Sequence, residues 1–142
     1  MRPSVVVRWL WLVTASASVL GCNHIRMTRE CRQLSGIVES RRQELELVTR
    51  PNTPAAYRAA GPLYGKIAEQ LRRTVGSNQL QPTIQEYARS VEAIAPNVLA
   101  YADALESNDA ERIDAVQAEV NRASRRERQA SRRLEDQCHG RR

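Results

Sequence analysis

A chain of 142 residues has room for one domain, and its net charge of +6 rests almost wholly on arginine, Lys66 being the only lysine. There is no Phe, and both Trp, Trp9 and Trp11, lie near the amino terminus. A core drawn from Ala, Leu, Ile, Val and four Tyr suits closely packed helices and argues against a β-sandwich, which relies on β-branched and aromatic residues.

The chain opens with a positively charged stretch, Arg2 and Arg8, followed by an uncharged run from Trp9 to Leu20. That run is well short of the roughly 20 apolar residues needed to span a bilayer, and it fits the apolar region of a secretory signal peptide. It ends in Val19-Leu20-Gly21-Cys22. This run resembles the bacterial lipobox, in which an aliphatic residue, a tolerant position and a small residue precede an invariant Cys. The resemblance implies a lipoprotein: a signal peptide over 1–21, cleavage before Cys22, and fatty-acyl modification such as palmitate on that cysteine. An uncleaved anchor, or a plain signal peptide cut nearby, is the other reading of the segment. Two or more acyl chains hold a protein firmly to a membrane, whereas one does so only marginally. By likeness to lipoprotein sorting, Asn23 in place of Asp after the anchor favours the outer membrane, facing the periplasm. Residues 22–27 then form a short lipid-anchored tether, 28–138 a helical domain, and 139–142 a basic tail.

Four apolar stripes follow at helical spacing. The first runs through Met27, Cys31, Leu34, Val38, Leu45 and Val48, interrupted by Arg41; Thr28 caps it and Pro51 ends it. The second starts at Thr53-Pro54, an N-cap followed by proline, and runs through Tyr57, Ala60, Tyr64, Ile67, Leu71 and Val75. Gly61-Pro62 lies inside it without disturbing the register, which predicts a kink. The third stripe, Ile84, Tyr87, Val91, Ile94, Val98, Tyr101 and Leu105, holds its register across Pro96. A kinked third helix is expected, with a break into two shorter helices as the alternative. The fourth opens at Asn108-Asp109, with Glu111 set for a capping box, and continues through Ile113, Val116, Val120, Ala123, Ala130, Leu134 and Cys138, interrupted by Glu127. Short connections between helices of similar length predict an all-α, antiparallel up-down four-helix bundle with kinked helices 2 and 3, preceded by a signal-peptide helix.

That topology brings the start of the first helix and the end of the fourth to one pole, where Cys31 and Cys138 both lie on inward stripes. In an oxidising compartment they are expected to form a disulfide. The rival is a metal site using His24, Cys31, Cys138 and His139, whose spacings match no standard zinc pattern. No metal and no cofactor is expected.

Catalytic motifs are lacking: no Glu-x-x-His repeat, no glycine-rich phosphate loop, and no His in mid-chain to partner a Ser. The expectation is a non-enzymatic protein with no identifiable small-molecule substrate. Tyr57, Tyr64, Tyr87 and Tyr101 fall on the second and third stripes and are expected to form one layer. An alternative role is a periplasmic ligand-binding or sensor lipoprotein with a Tyr-lined pocket between helices 2 and 3. Basicity concentrates at the carboxyl end, where Arg122, Arg125, Arg126, Arg128, Arg132 and Arg133 share an arc opposite Ala123, Ala130 and Leu134. The bland reading of that arc is a solvated face. The functional reading is contact with anionic headgroups or an envelope protein, besides the membrane reached through the lipid anchor. Without interleaved aromatics for base stacking, nucleic acid is not an expected partner.

Overall fold

A computed structural model describes residues 29–74 and 76–139. The expected signal-peptide helix, Cys22, the tether, His24, Met27, the Thr28 cap, Val75 and residues 140–142 lie outside the described residues. Every regular element among the described residues is an α-helix, and together they form a helical bundle. Helix α1 covers residues 29–49, α2 Pro54–Arg73, α3 Gln81–Glu92, α4 Ala95–Ser107 and α5 Ala110–His139.

Helix α1 stops just before Pro51, as that residue requires. The reversal into α2 uses Asn52 at φ 53°, a left-handed conformation that Asn tolerates better than most residues. Thr53 Oγ1 then accepts the Ala56 N–H at 3.3 Å, and Pro54 takes the first helical position, where no N–H is needed. Helix α2 runs unbroken through Gly61-Pro62. The reason for glycine there is a neighbour: a Cβ on Gly61 would lie 2.7 Å from Leu99 Cδ2, so α2 and α4 approach closely at this point.

The third stripe is two helices. Pro96 has no N–H to offer the carbonyl of Glu92, and the helical ladder, kept by the Ala93 N–H to the Arg89 carbonyl at 3.1 Å, lapses at Ile94. Ala93 and Ile94 stay right-handed (φ −64° and −76°), and Ile94 N–H falls back on the carbonyl of Val91 at 3.1 Å. A single short 3₁₀ turn therefore replaces the expected kink and preserves the register, so Val91, Ile94 and Val98 are all buried. Asn108, left-handed at φ 51°, closes α4. Asp109 caps α5 through its Oδ1, which accepts the Arg112 N–H at 3.1 Å. The cap is thus Asp109 and not Asn108, which moves Glu111 out of the position a capping box needs.

Two buried clusters make the core. The larger gathers Leu34 of α1, Ile67 and Leu71 of α2, Ile84, Tyr87 and Val91 of α3, and Ala130 and Leu134 of α5. The smaller joins Ala60, Ile94, Val98 and Ala123, flanked by Leu45, Val48, Tyr57 and Tyr64. Helix α2 packs on α3 and α4, and both of those pack on α5. Polar ties cross the same seams. Arg58 near the start of α2 pairs with Asp103 and Glu106 near the end of α4, and Arg72 near the end of α2 pairs with Glu92. At the other pole the Ser77 N–H donates to the buried carboxylate of Glu30 at 3.0 Å, fixing the start of α1 to the α2–α3 connection.

Candidate functional site

Helices α1 and α5 are joined covalently. Cys31 and Cys138 form a disulfide across 107 residues of sequence, with their Cα atoms 5.6 Å apart. Both sulfurs are therefore unavailable as thiolate ligands, which removes the four-ligand metal alternative. Among the described residues no three His, Cys, Asp or Glu side chains are grouped to hold a metal ion.

Beside this bridge lies an open cleft of about 590 Å³. Leu34 and Val38, three and seven residues beyond Cys31, form one wall. On α5, Glu127, Ser131, Leu134 and Cys138 follow at steps of four and three and form the other. Tyr87 of α3 supplies the floor. The stripes that build the core thus also build the cleft, because α1 and α5 do not close completely over Tyr87.

Glu127 is the polar residue set among these apolar positions. It is half-buried, and desolvation raises its pKa above the usual carboxylate value, opposed by the hydrogen bond it accepts from Tyr87 and by the charge of Arg128. Tyr87, 4% exposed, has its pKa pushed up by burial first and then by the charge of Glu127. At the mouth, Arg42 is committed to Glu39 through two hydrogen bonds of 3.1 and 2.9 Å. Ser131 donates to Glu135 at 3.3 Å, and His139 Nδ1 lies 2.9 Å from the Glu135 carbonyl oxygen.

No protein-family model matches this chain, and neither a curated protein nor a solved structure is similar enough to count as a match. The reading of the site therefore rests on its own chemistry.

Tyr57 and Tyr101 meet edge to face, centroids 5.0 Å apart at 83°, and Tyr57 donates its hydroxyl proton to Asn52 Oδ1 at 2.6 Å. Tyr64 packs between the two core clusters, and of the four only Tyr87 lines the cleft. Leu99 lies against Gly61, in the seam between helices 2 and 3 to which the alternative reading assigns a ligand pocket.

All six arginines of the α5 arc are exposed. Arg122 pairs with Glu119 at 3.1 Å and Arg133 reaches Glu86 of α3. Arg125, Arg126 and Arg132 form no ion pair among the described residues.

Sequence reasoning treated Glu127 as an interruption. The signal was present: Glu127 sits four residues after Ala123 and three before Ala130, in register with the buried stripe. A carboxylate at such a position carries a desolvation cost, and its pKa is raised accordingly beside Tyr87.

Proposed function

We propose that this protein is an exported lipoprotein of the bacterial cell envelope, a helical bundle held to the outer membrane by lipid on Cys22, acting by contact and not by catalysis. The observation that carries the reading is the run Val19-Leu20-Gly21-Cys22 behind a charged start and an apolar segment. The Cys31–Cys138 bridge agrees with it, since disulfides persist in oxidising compartments and are rare in the cytosol. No helix among the described residues is long and apolar enough to cross a membrane, so attachment in this reading falls to the lipid.

The rods α1, α2, α3–α4 and α5 would run up, down, up and down. Three observations support this arrangement. Arg58 and Arg72 of α2 meet later and earlier partners of α4 and α3 respectively. Arg133 of α5 meets Glu86 near the start of α3, while Ala123 packs with Val98. The start of α1 is bonded to the end of α5. The arginine arc then runs from roughly one and a half turns from Cys138, at Arg133, to beyond roughly three turns away at Arg126 and Arg125, and Arg125, Arg126 and Arg132, which form no ion pair among the described residues, would meet headgroup phosphates.

Fractionation of cells producing Cys22→Ser tests the anchor. The variant should leave the membrane fraction and lose the acyl mass; unchanged retention and mass would reject lipidation. The arginine face is tested with vesicles. Arg125→Gln, Arg126→Gln and Arg132→Gln together should weaken binding to phosphatidylglycerol vesicles, each arginine being worth about 1 kcal/mol near an anionic surface. Binding that ignores both this triple change and added salt would reject headgroup contact.

A further inference from the structure

We infer that the cleft between α1 and α5 is a binding site for a small amphiphilic cation, an ammonium or guanidinium group carried on an apolar body, with Glu127 as its counter-charge. This goes beyond the anchoring proposal and does not depend on it.

The cleft has the size of small-molecule sites, which run to roughly 300–1,000 Å³ and combine apolar walls with a few convergent polar groups. Leu34, Val38, Leu134 and the disulfide give apolar walls. The charge complementarity is local and opposes the molecule as a whole. The chain carries +6, yet the cleft lining holds three carboxylates, Glu39, Glu127 and Glu135, with Arg32, Arg42 and His139, and Arg128 acts on Glu127 from beside the cleft. Arg42 is held at the mouth by Glu39 and does not reach to neutralise the floor group in this arrangement. Glu127 lines the cleft half-buried among its apolar walls, beside Tyr87. A carboxylate in a partly dry site attracts a cation more strongly than one in water. A fatty acid would satisfy the apolar walls but set its carboxylate against Glu127. A neutral alcohol would use the walls alone.

The test uses the full-length chain in a non-ionic detergent with three probes of one length: hexylammonium, hexanol and hexanoate. Titration calorimetry should rank hexylammonium first, about tenfold or more above hexanol, with hexanoate weakest. Amide shifts in a parallel NMR titration should concentrate at Tyr87, Ser131 and Leu134. Glu127→Gln keeps an acceptor for Tyr87; it should abolish the preference for the ammonium while leaving hexanol binding unchanged. Ser35→Trp, an exposed substitution at the cleft mouth, should block all three probes even if the Glu127 variant fails to fold. Hexanoate binding as tightly as hexylammonium, a preference that survives Glu127→Gln, or shifts that avoid these residues would each overturn the proposal. Because the anchor plays no part in these readouts, their failure leaves the Cys22 test standing, and the reverse holds too.

Discussion

The seam between α2 and the α3–α4 pair differs in kind from the seam between α1 and α5. The first is dry and closely fitted: Ala60, Ala68, Leu71, Ile84, Ala88 and Ala102 have no exposed surface, and Gly61 lets the helices meet at Leu99. The second leaves a cleft, is lined by half-buried residues such as Val38 and Cys138, and holds a carboxylate. Helix α1 buries one apolar side chain fully, Leu34. Burial holds the first seam, whereas the second combines modest burial with a covalent bond; α1 is held to α2 besides, by Arg41 Nε donating to Gln70 Oε1 at 3.0 Å. A protein built this way can keep a stable core and still present an open site along one side.

The largest expected effect falls on the bond. Replacing Cys31 and Cys138 by Ser opens a loop of more than 100 residues, which the chain-entropy account values at about 4–5 kcal/mol as an upper figure. The unfolding midpoint in urea should fall accordingly, and hydrogen exchange should quicken first in α1. Uniform loosening across α2 and α3 instead would mean that the two seams are one cooperative unit. Next comes the same truncation made on each side. Leu71→Ala, at a position with no exposure, should cost about 2–5 kcal/mol by cavity formation. Val38→Ala, on the cleft wall, removes less surface and opens no enclosed void; it should cost less than half as much by the same denaturation curve.

Much of this contrast was legible in the residues. The steps of three and four name the core positions, and Thr53-Pro54 and Pro51 set real boundaries. The inward placement of Cys31 and Cys138 at opposite ends of the chain points to their bond. What periodicity does not carry is how closely two stripes approach. Nothing in the spacing of α1 and α5 says that they stop short of contact over Tyr87. Nor does the pattern say that Gly61 serves the approach of Leu99, since a kinked helix and a close crossing use the same residue. Pro96 left two outcomes with the same register, and only the hydrogen-bond ladder separates them.

The polar pair in the cleft gives an effect of middle size and a clear sign with pH. Tyr87 has a folded-state pKa raised above the usual tyrosine value of about 10. Its stabilising contribution is therefore complete below about pH 10 and lost as pH rises through the folded value. Tyr87→Phe should flatten the alkaline fall in stability, leaving the smaller shares of Tyr57 and Tyr64, whose pKa values are also raised by burial. Glu127 runs the other way from the ion-paired carboxylates. Its raised pKa means that the folded state holds the proton more tightly, so stability gains as pH falls through that value. Glu92 and Glu106, held low first by hydrogen bonds from Arg72 and Arg58, lose theirs as pH falls through their lowered values. At neutral pH Tyr87→Phe, which keeps the buried ring and removes its hydroxyl, should cost about 1 kcal/mol. Thermal melts of both proteins from pH 4 to 11 would show whether the curves cross as this requires.

The smallest effect, close to none, belongs to one of two glycines that meet another chain segment, and the pair separates tight from yielding contacts. A Cβ on Gly76 would lie 2.7 Å from Cδ1 of Ile84, a side chain with no exposed surface and nowhere to go. Gly76→Ala should therefore cost about 1–3 kcal/mol, as overpacking does. A Cβ on Gly61 meets Leu99 at the same distance, but Leu99 is 40% exposed and can turn outward. Within α2 an alanine also gains up to about 1 kcal/mol of helix propensity over glycine. Gly61→Ala should leave the melting temperature almost unchanged, the two terms offsetting. If Gly61→Ala destabilises as much as Gly76→Ala, Leu99 is pinned by something covering it in solution. The exposed outer edge of the α2–α4 seam would then be a contact surface and not a solvated one.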